Sequence, residues 1–486
     1  MDIMAAKTAF KTLLTTASAI SLIAGLGSSA HATSHDLIGD AIITRNSGGE
    51  GSVTNIKGIT SWTSSDNVIF PGALVLTTGS AGNVSIGNAY LDAVGVNGWI
   101  TVAGNQTNIN NIYGSNASTG FINVTLANES VLAIGGTNLS KLGTINGDDS
   151  NHGSVIFGEG VIEGQVGEIG TSNSIHTLYL NADSVLKNAV SSSNINVAGN
   201  TTFLNNVNTD RLIFVNGSTI STGDESLNVK SQIYFREGSV LTVNKGGLTG
   251  GAQVAADANC GTFTFNSKVN KGDVGEIGTY GAKPLSLVVI SDTADDSVFD
   301  SAVATNEIRV QGNSTFDGDV TVPTLQVATG KALTTGAGVL TMSGDTTLYD
   351  GATLTVGVGG IAGGGKIDGD DGSHGILKFY GLVAEDGVGA IGGDFKLSEV
   401  EINGDGASIF NKAVRADLLT IGAASDGTAL NDLAEAIYLT INGNDTTFNN
   451  VTATQLTLGE SKGATTNGSL QIGSAILSNN SVLSIA

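Results

Sequence analysis

Apolar and polar residues alternate along this chain in short runs. Phe263 and Phe265 alternate with Thr262 and Thr264, Leu377 and Phe379 flank Lys378, and Val400 and Ile402 flank Glu401. Leu178 and Leu180 flank Tyr179 in the same way. A period of two places one set of side chains inward and the other outward, so these runs predict half-buried β-strands. Gly, Asn, Asp and Ser interrupt them roughly every 8–12 residues, the turn spacing of all-β chains. Helical heptads are absent, as is any long apolar helix pattern beyond the N-terminus.

The strand pattern is itself repeated. Runs beginning at His152, Cys260 and His374 are equivalent, at offsets of 108 and 114 residues, and Phe157, Phe265 and Phe379 keep the same offsets. So do Val166, Val274 and Val388, which open the elements VGEIG, VGEIG and VGAIG. A closing signature follows each: GNTTFLNNV from Gly199, GNSTFDGDV from Gly312 and GNDTTFNNV from Gly443, with a weaker GNQTNINNI from Gly104. The copies differ in length between the two elements, which places insertions in turns, where they cost little. Fixed-period duplication of strands predicts an all-β fold, an elongated right-handed parallel β-helix, or β-solenoid, built from internal repeats. The glycines of VGEIG read as tight corners between the faces of a coil.

This divides the chain into an N-terminal cap and first solenoid coils over 33–142, three repeats over roughly 143–253, 254–365 and 366–461, and an unfinished solenoid end over 462–486. The last segment keeps alternating strands (LTLG, LQIG, VLSI) and stops in mid-pattern, which reads as a fragment or the front of something longer. The Gly-rich run GVGGIAGGGK before the third copy reads equally as a linker or as a Gly-rich coil.

Composition narrows the picture. The 486 residues include 69 Gly, 3 Pro and 1 Cys, with 5% aromatic and 13% charged residues. Small residues and short apolar strands suit a narrow core in which Val, Ile and Leu stack from coil to coil. A formal net charge of −23 leaves no basic patch for phosphates or anionic lipid, which disfavours nucleic-acid and membrane-surface partners. Cys260 is alone, so no internal disulfide forms. At the N-terminus, Lys7 and Lys11 precede an apolar stretch from Leu13 to Leu26 and a Ser29-Ala30-His31-Ala32 site. Basic, apolar, then small residues is the secretory pattern. Residues 1–32 therefore read as a signal peptide cleaved after Ala32, the run being short for a membrane-spanning helix.

The signal pattern, the low-aromatic Gly/Asn/Thr-rich repeats and units such as GDDGSHGILKFYG with VGAIG resemble the passenger regions of rickettsial surface-antigen autotransporters, the outer-membrane surface-layer proteins. The resemblance covers about 143–461. It implies a secreted, largely β-solenoid passenger displayed on the bacterial surface, with a role in surface-layer formation or host-cell attachment. Its partners would be a host-cell surface protein or neighbouring surface-layer copies. The family ends in a membrane β-barrel, and this sequence shows no such region, so any tie to the outer membrane would run through a barrel outside this chain.

Candidate chemistry is sparse. The loops Gly147 to Gly153 (GDDSNHG) and Gly369 to Gly375 (GDDGSHG) set acidic oxygens beside His152 and His374, a start for cation coordination. The second repeat has Cys260 in place of His and keeps only Asp257 of the acidic pair. Each copy thus supplies a single soft ligand where zinc needs three or four, and a polar turn explains the loop equally. Gly404-Asp405-Gly406 starts no nine-residue calcium-binding series. Asp295-Asp296 and Asp370-Asp371 are the carboxylate pairs open to a polysaccharide-acting enzyme, but neighbours on a strand face opposite ways. Neither a phosphate-binding loop nor a nucleophile elbow occurs. Frequent Asn-x-Ser/Thr triplets, such as Asn200-Thr201-Thr202, follow from composition, and the Asn runs are expected to stack and satisfy turn hydrogen bonds. The sequence therefore assigns no catalytic, cofactor-binding or metal residue and reads as a non-enzyme, with a polysaccharide enzyme or a secreted effector as the alternatives.

Overall fold

The structure is a computed structural model. It describes residues 119–486 except 258 and 280–282, and before them 41–42, 54–59, 67–70, 74–78, 83–91, 97–103 and 106–114. The expected signal peptide and its cleavage point lie outside the described residues. Among the described residues every regular element is a β-strand, and the strands pair in parallel from one coil to the next. The chain is a β-solenoid.

It divides into two compact units, 1–230 and 231–486. In the first, one ladder steps from Leu76 to Ile100, Val124, Ile145, Ile169 and Val190. In the second, another steps from Leu354 to Leu377, Val400, Leu419, Leu439 and Leu456. A coil is as short as 17 residues, from Thr177 to Asn194, and as long as 27, from Ala41 to Val68. Each repeat of 108 or 114 residues is therefore several coils, not one.

The duplication read from sequence becomes a repeated strand step. Ser154–Phe157 pairs with Ile175–Leu180, which pairs with Val190–Val197. Cys260–Phe265, Leu285–Ile290 and Val303–Val310 do the same in the second copy. Ile376–Phe379, Leu397–Ile402 and Val414–Ile421 do it in the third. Alternation decides which way each side chain points: Val155, Phe157, Leu178 and Leu180 are buried, while Ile156 and Tyr179 face outward. Among the described residues most phenylalanines are buried, while the tyrosines are not. Phe263, Phe265, Phe299 and Phe316 run as a column with ring centroids 4.1, 5.4 and 4.7 Å apart. Burying one such ring contributes about 3 kcal/mol, so the column offsets part of the thinness of the core.

The VGEIG element uses its two glycines for different reasons. A Cβ on Gly167, Gly275 or Gly389 would sit 2.6–2.7 Å from backbone of the coil below, so this glycine permits close stacking of backbone on backbone. Gly170, Gly278 and Gly392 have φ of 70°, 67° and 62°, and a Cβ there would lie 2.0–2.1 Å from the carbonyl oxygens of Ser191, Ala304 and Arg415. Only a residue without a side chain fits both the left-handed backbone and the neighbouring coil.

The closing signature is a coil-to-coil connector. Its penultimate side chain accepts a hydrogen bond from a backbone N–H of the following coil in all four copies. Asn111 accepts from Asn138 (3.1 Å), Asn206 from Ser226 (3.2 Å), Asp319 from Val339 (2.8 Å) and Asn450 from Ser469 (3.1 Å). The next residue, Ile112, Val207, Val320 or Val451, donates its own N–H to the carbonyl of that same partner. Each pair therefore closes a small ring in which a side-chain oxygen stands in for backbone.

Candidate functional site

Each of the two histidine loops is closed by a contact between its own His and Asp. Asn151 and Ser373 adopt φ of 65° and 63°, turning the chain so that the imidazole folds back on its own loop. His152 Nδ1 lies 2.6 Å from Asp148 Oδ1, and His374 Nδ1 lies 2.8 Å from Asp370 Oδ1. The hydrogen bond to Asp370 raises the His374 pKa, helped by the charges of Asp370, Asp350 and Asp371. In the second copy Ala256 stands where the bonded Asp would be, and Cys260 Sγ donates to the backbone oxygen of Asp257 instead. Burial pushes the Cys260 thiol up, which keeps it protonated and a poor metal ligand. Among the described residues no group of three or more His, Cys, Asp or Glu is arranged to hold a metal ion. The GDD…H loops are turns closed by a His–Asp pair.

Nor do the carboxylate pairs converge. Asp371 Oδ1 accepts from the N–H of Gly372 (2.7 Å), while Asp370 is taken up by His374. Asp295 Oδ1 accepts from the backbone N–H of Asn313 (2.5 Å), the chief cause of its lowered pKa. Asp296 stands in a left-handed turn at φ 57°. Asp183 and Asp426 repeat the Asp295 contact on Asn200 (2.7 Å) and Asn444 (2.6 Å). These three acids secure the Gly-Asn pairs that open the closing signatures at Gly199, Gly312 and Gly443. Their spacing in sequence is uneven, so no periodicity reveals them.

A second device is also hidden in sequence. At one corner of the coil two consecutive residues face outward and the alternation slips. The inward residue before the slip carries a hydroxyl that donates to the carbonyl two residues on: Ser192 to Asn194 (2.7 Å), Thr209 to Arg211 (3.0 Å) and Thr305 to Glu307 (3.1 Å). Ala416 takes this place in the third copy.

What remains for recognition is the outward side of the coils. In the first unit a cleft of about 210 Å3 opens across successive coils at this corner. Its lining is hydroxyl and carboxamide: Ser174 and Ser193 both donate to Asn151 Oδ1 (2.8 and 2.7 Å), and Ser191 and Asn208 stand beside them. Its charged members are Asp210 and Lys230, 4.0 Å apart. In the second unit the outward side of the third repeat carries charged pairs. Lys378 lies 2.9 Å from Glu401 and 3.4 Å from Glu399, Arg415 lies 2.8 Å from Glu435, and Lys396 also reaches Glu435. Bonding to Glu401 raises the Lys378 pKa, and bonding to Lys396 first, then Arg415, lowers that of Glu435.

Compared with protein-family models, curated proteins and solved structures, the chain matches none.

Proposed function

We propose that the chain is an exported, surface-displayed passenger whose role is structural and adhesive, in a surface layer or in attachment to host cells. One observation carries this reading. The three copies keep the same alternation of buried positions, the same strand step and the same connectors, while the outward faces of the first and third differ in chemistry. A scaffold held constant beneath a variable exterior suits presentation to a partner, because function resides in sites carried on a fold. The secretory pattern from Lys7 to Ala32 supports export. The binding role is favoured over hydrolysis because Asp295, Asp370 and Asp371 are each committed to a turn contact. On this reading the partners are a host-cell surface protein or neighbouring copies of the chain.

Fractionation of the producing bacterium with protease treatment of intact cells tests the proposal. The expected result is a chain beginning at Thr33 that is cell-associated and cleaved from outside. Recovery of the chain only from the cytoplasm, with Ala32 still joined to Thr33, would overturn it.

A further inference from the structure

We propose that the cleft at the Ser191–Lys230 corner binds a neutral saccharide, which deepens the adhesive reading and rests on it for biological context alone. The lining carries no net charge. In a chain of net charge −23, the cleft brings together one carboxylate and one ammonium, Asp210 and Lys230, at 4.0 Å. The remaining wall is hydroxyl and carboxamide from Asn151, Ser191, Ser193 and Asn208. These groups donate and accept at once, as sugar hydroxyls do, whereas a charged ligand would leave one member of the ion pair opposed.

The floor is built rather than accidental. Ser192 and Thr209 are buried, and their hydroxyl protons go to the carbonyls of Asn194 and Arg211. Each oxygen is thus oriented as an acceptor. Asn151 Oδ1 is occupied by Ser174 and Ser193, which turns its amide N–H groups outward as donors. The coil rise of about 4.8 Å repeats these groups at a spacing close to that of a sugar ring.

Calorimetric titration of the purified chain with maltotriose, cellotriose and N-acetylated chitotriose tests this, with trigalacturonate and a Ser-Asn-Ser tripeptide as controls. At least one neutral trisaccharide is expected to bind saturably, with a Kd of about 1 mM or tighter. Ser191→Phe, which fills the cleft, is expected to weaken binding at least ~10-fold, and Asn208→Ala, at an exposed position, ~3- to 10-fold by loss of one good hydrogen bond. The unfolding midpoint of Asn208→Ala should stay at the wild-type value, so that variant remains decisive if Ser191→Phe folds poorly. No saturable binding, binding unchanged by Asn208→Ala, or preference for either control would overturn the proposal. Surface display is read separately by fractionation, so the two readings fail independently.

Discussion

The outward side of the first repeat, around Asn151 to Lys230, can be set beside that of the third, around Lys366 to Glu435. The cleft of the first is hydroxyl and carboxamide with the Asp210–Lys230 pair, and the exposed Lys187–Glu163 pair stands outside it. The third is a lattice of Lys366, Lys378, Lys396 and Arg415 against Asp394, Glu401 and Glu435. Beneath both lie the same strand step, the same paired glycines and the same connector. The interior fixes what the chain folds into, and the exterior is left to take different chemistry.

If that separation holds, interior changes should cost alike in the two regions. The largest effect is expected from Phe203→Ala and Phe379→Ala, both fully buried. Each should lose ~3–5 kcal/mol in denaturant unfolding, and a large disparity between them would break the comparison. Gly170→Ala and Gly392→Ala come next. Left-handed backbone and a Cβ 2.0–2.1 Å from a carbonyl oxygen should together cost ~2–4 kcal/mol. Asn206→Ala and Asn450→Ala should each cost ~1–2 kcal/mol by leaving an N–H unpaired, seen as faster amide exchange at Ser226 and Ser469.

Exterior changes should be smaller and should separate the regions. Glu435→Gln strands Lys396 and Arg415. The Glu435 side chain is 24% exposed, so a loss of about 0.5–1 kcal/mol is expected, shrinking in high salt. The Glu435 pKa is lowered on folding, so its contribution is present above the ordinary carboxylate value of about 4.3 and fades as pH falls through the folded value. His374 runs the other way. Its folded pKa is raised by Asp370, so its contribution is full below about 6.5 and disappears as pH rises through the folded value. An NMR titration of the His374 ring should show a lower pKa in Asp370→Asn, and an unchanged value would remove the pair from the account.

Much of the interior was legible in sequence because strand alternation and duplication are local. Phe157, Phe265 and Phe379 could be placed inward from their neighbours alone. The corner at Ser192, Thr209 and Thr305 was not, because there two outward residues interrupt the period of two and a buried hydroxyl occupies an apolar position. Asp295 was open to misreading for a related reason. Adjacency to Asp296 is visible along the chain, whereas its contact with Asn313, 18 residues on, exists only once the coil has closed. The cleft was invisible because its walls come from separate coils, and serine and asparagine are too common here to stand out.

The spread of coil lengths, from 17 to 27 residues, has a consequence for how such a chain can change. Because a strand must keep its inward phase, a single residue inserted within one would turn every later side chain of that strand inside out. The same residue inserted at a corner leaves the phase untouched. Variation is therefore channelled to the loops that meet the outside, and the molecule can alter what an observer touches without renegotiating what holds it together.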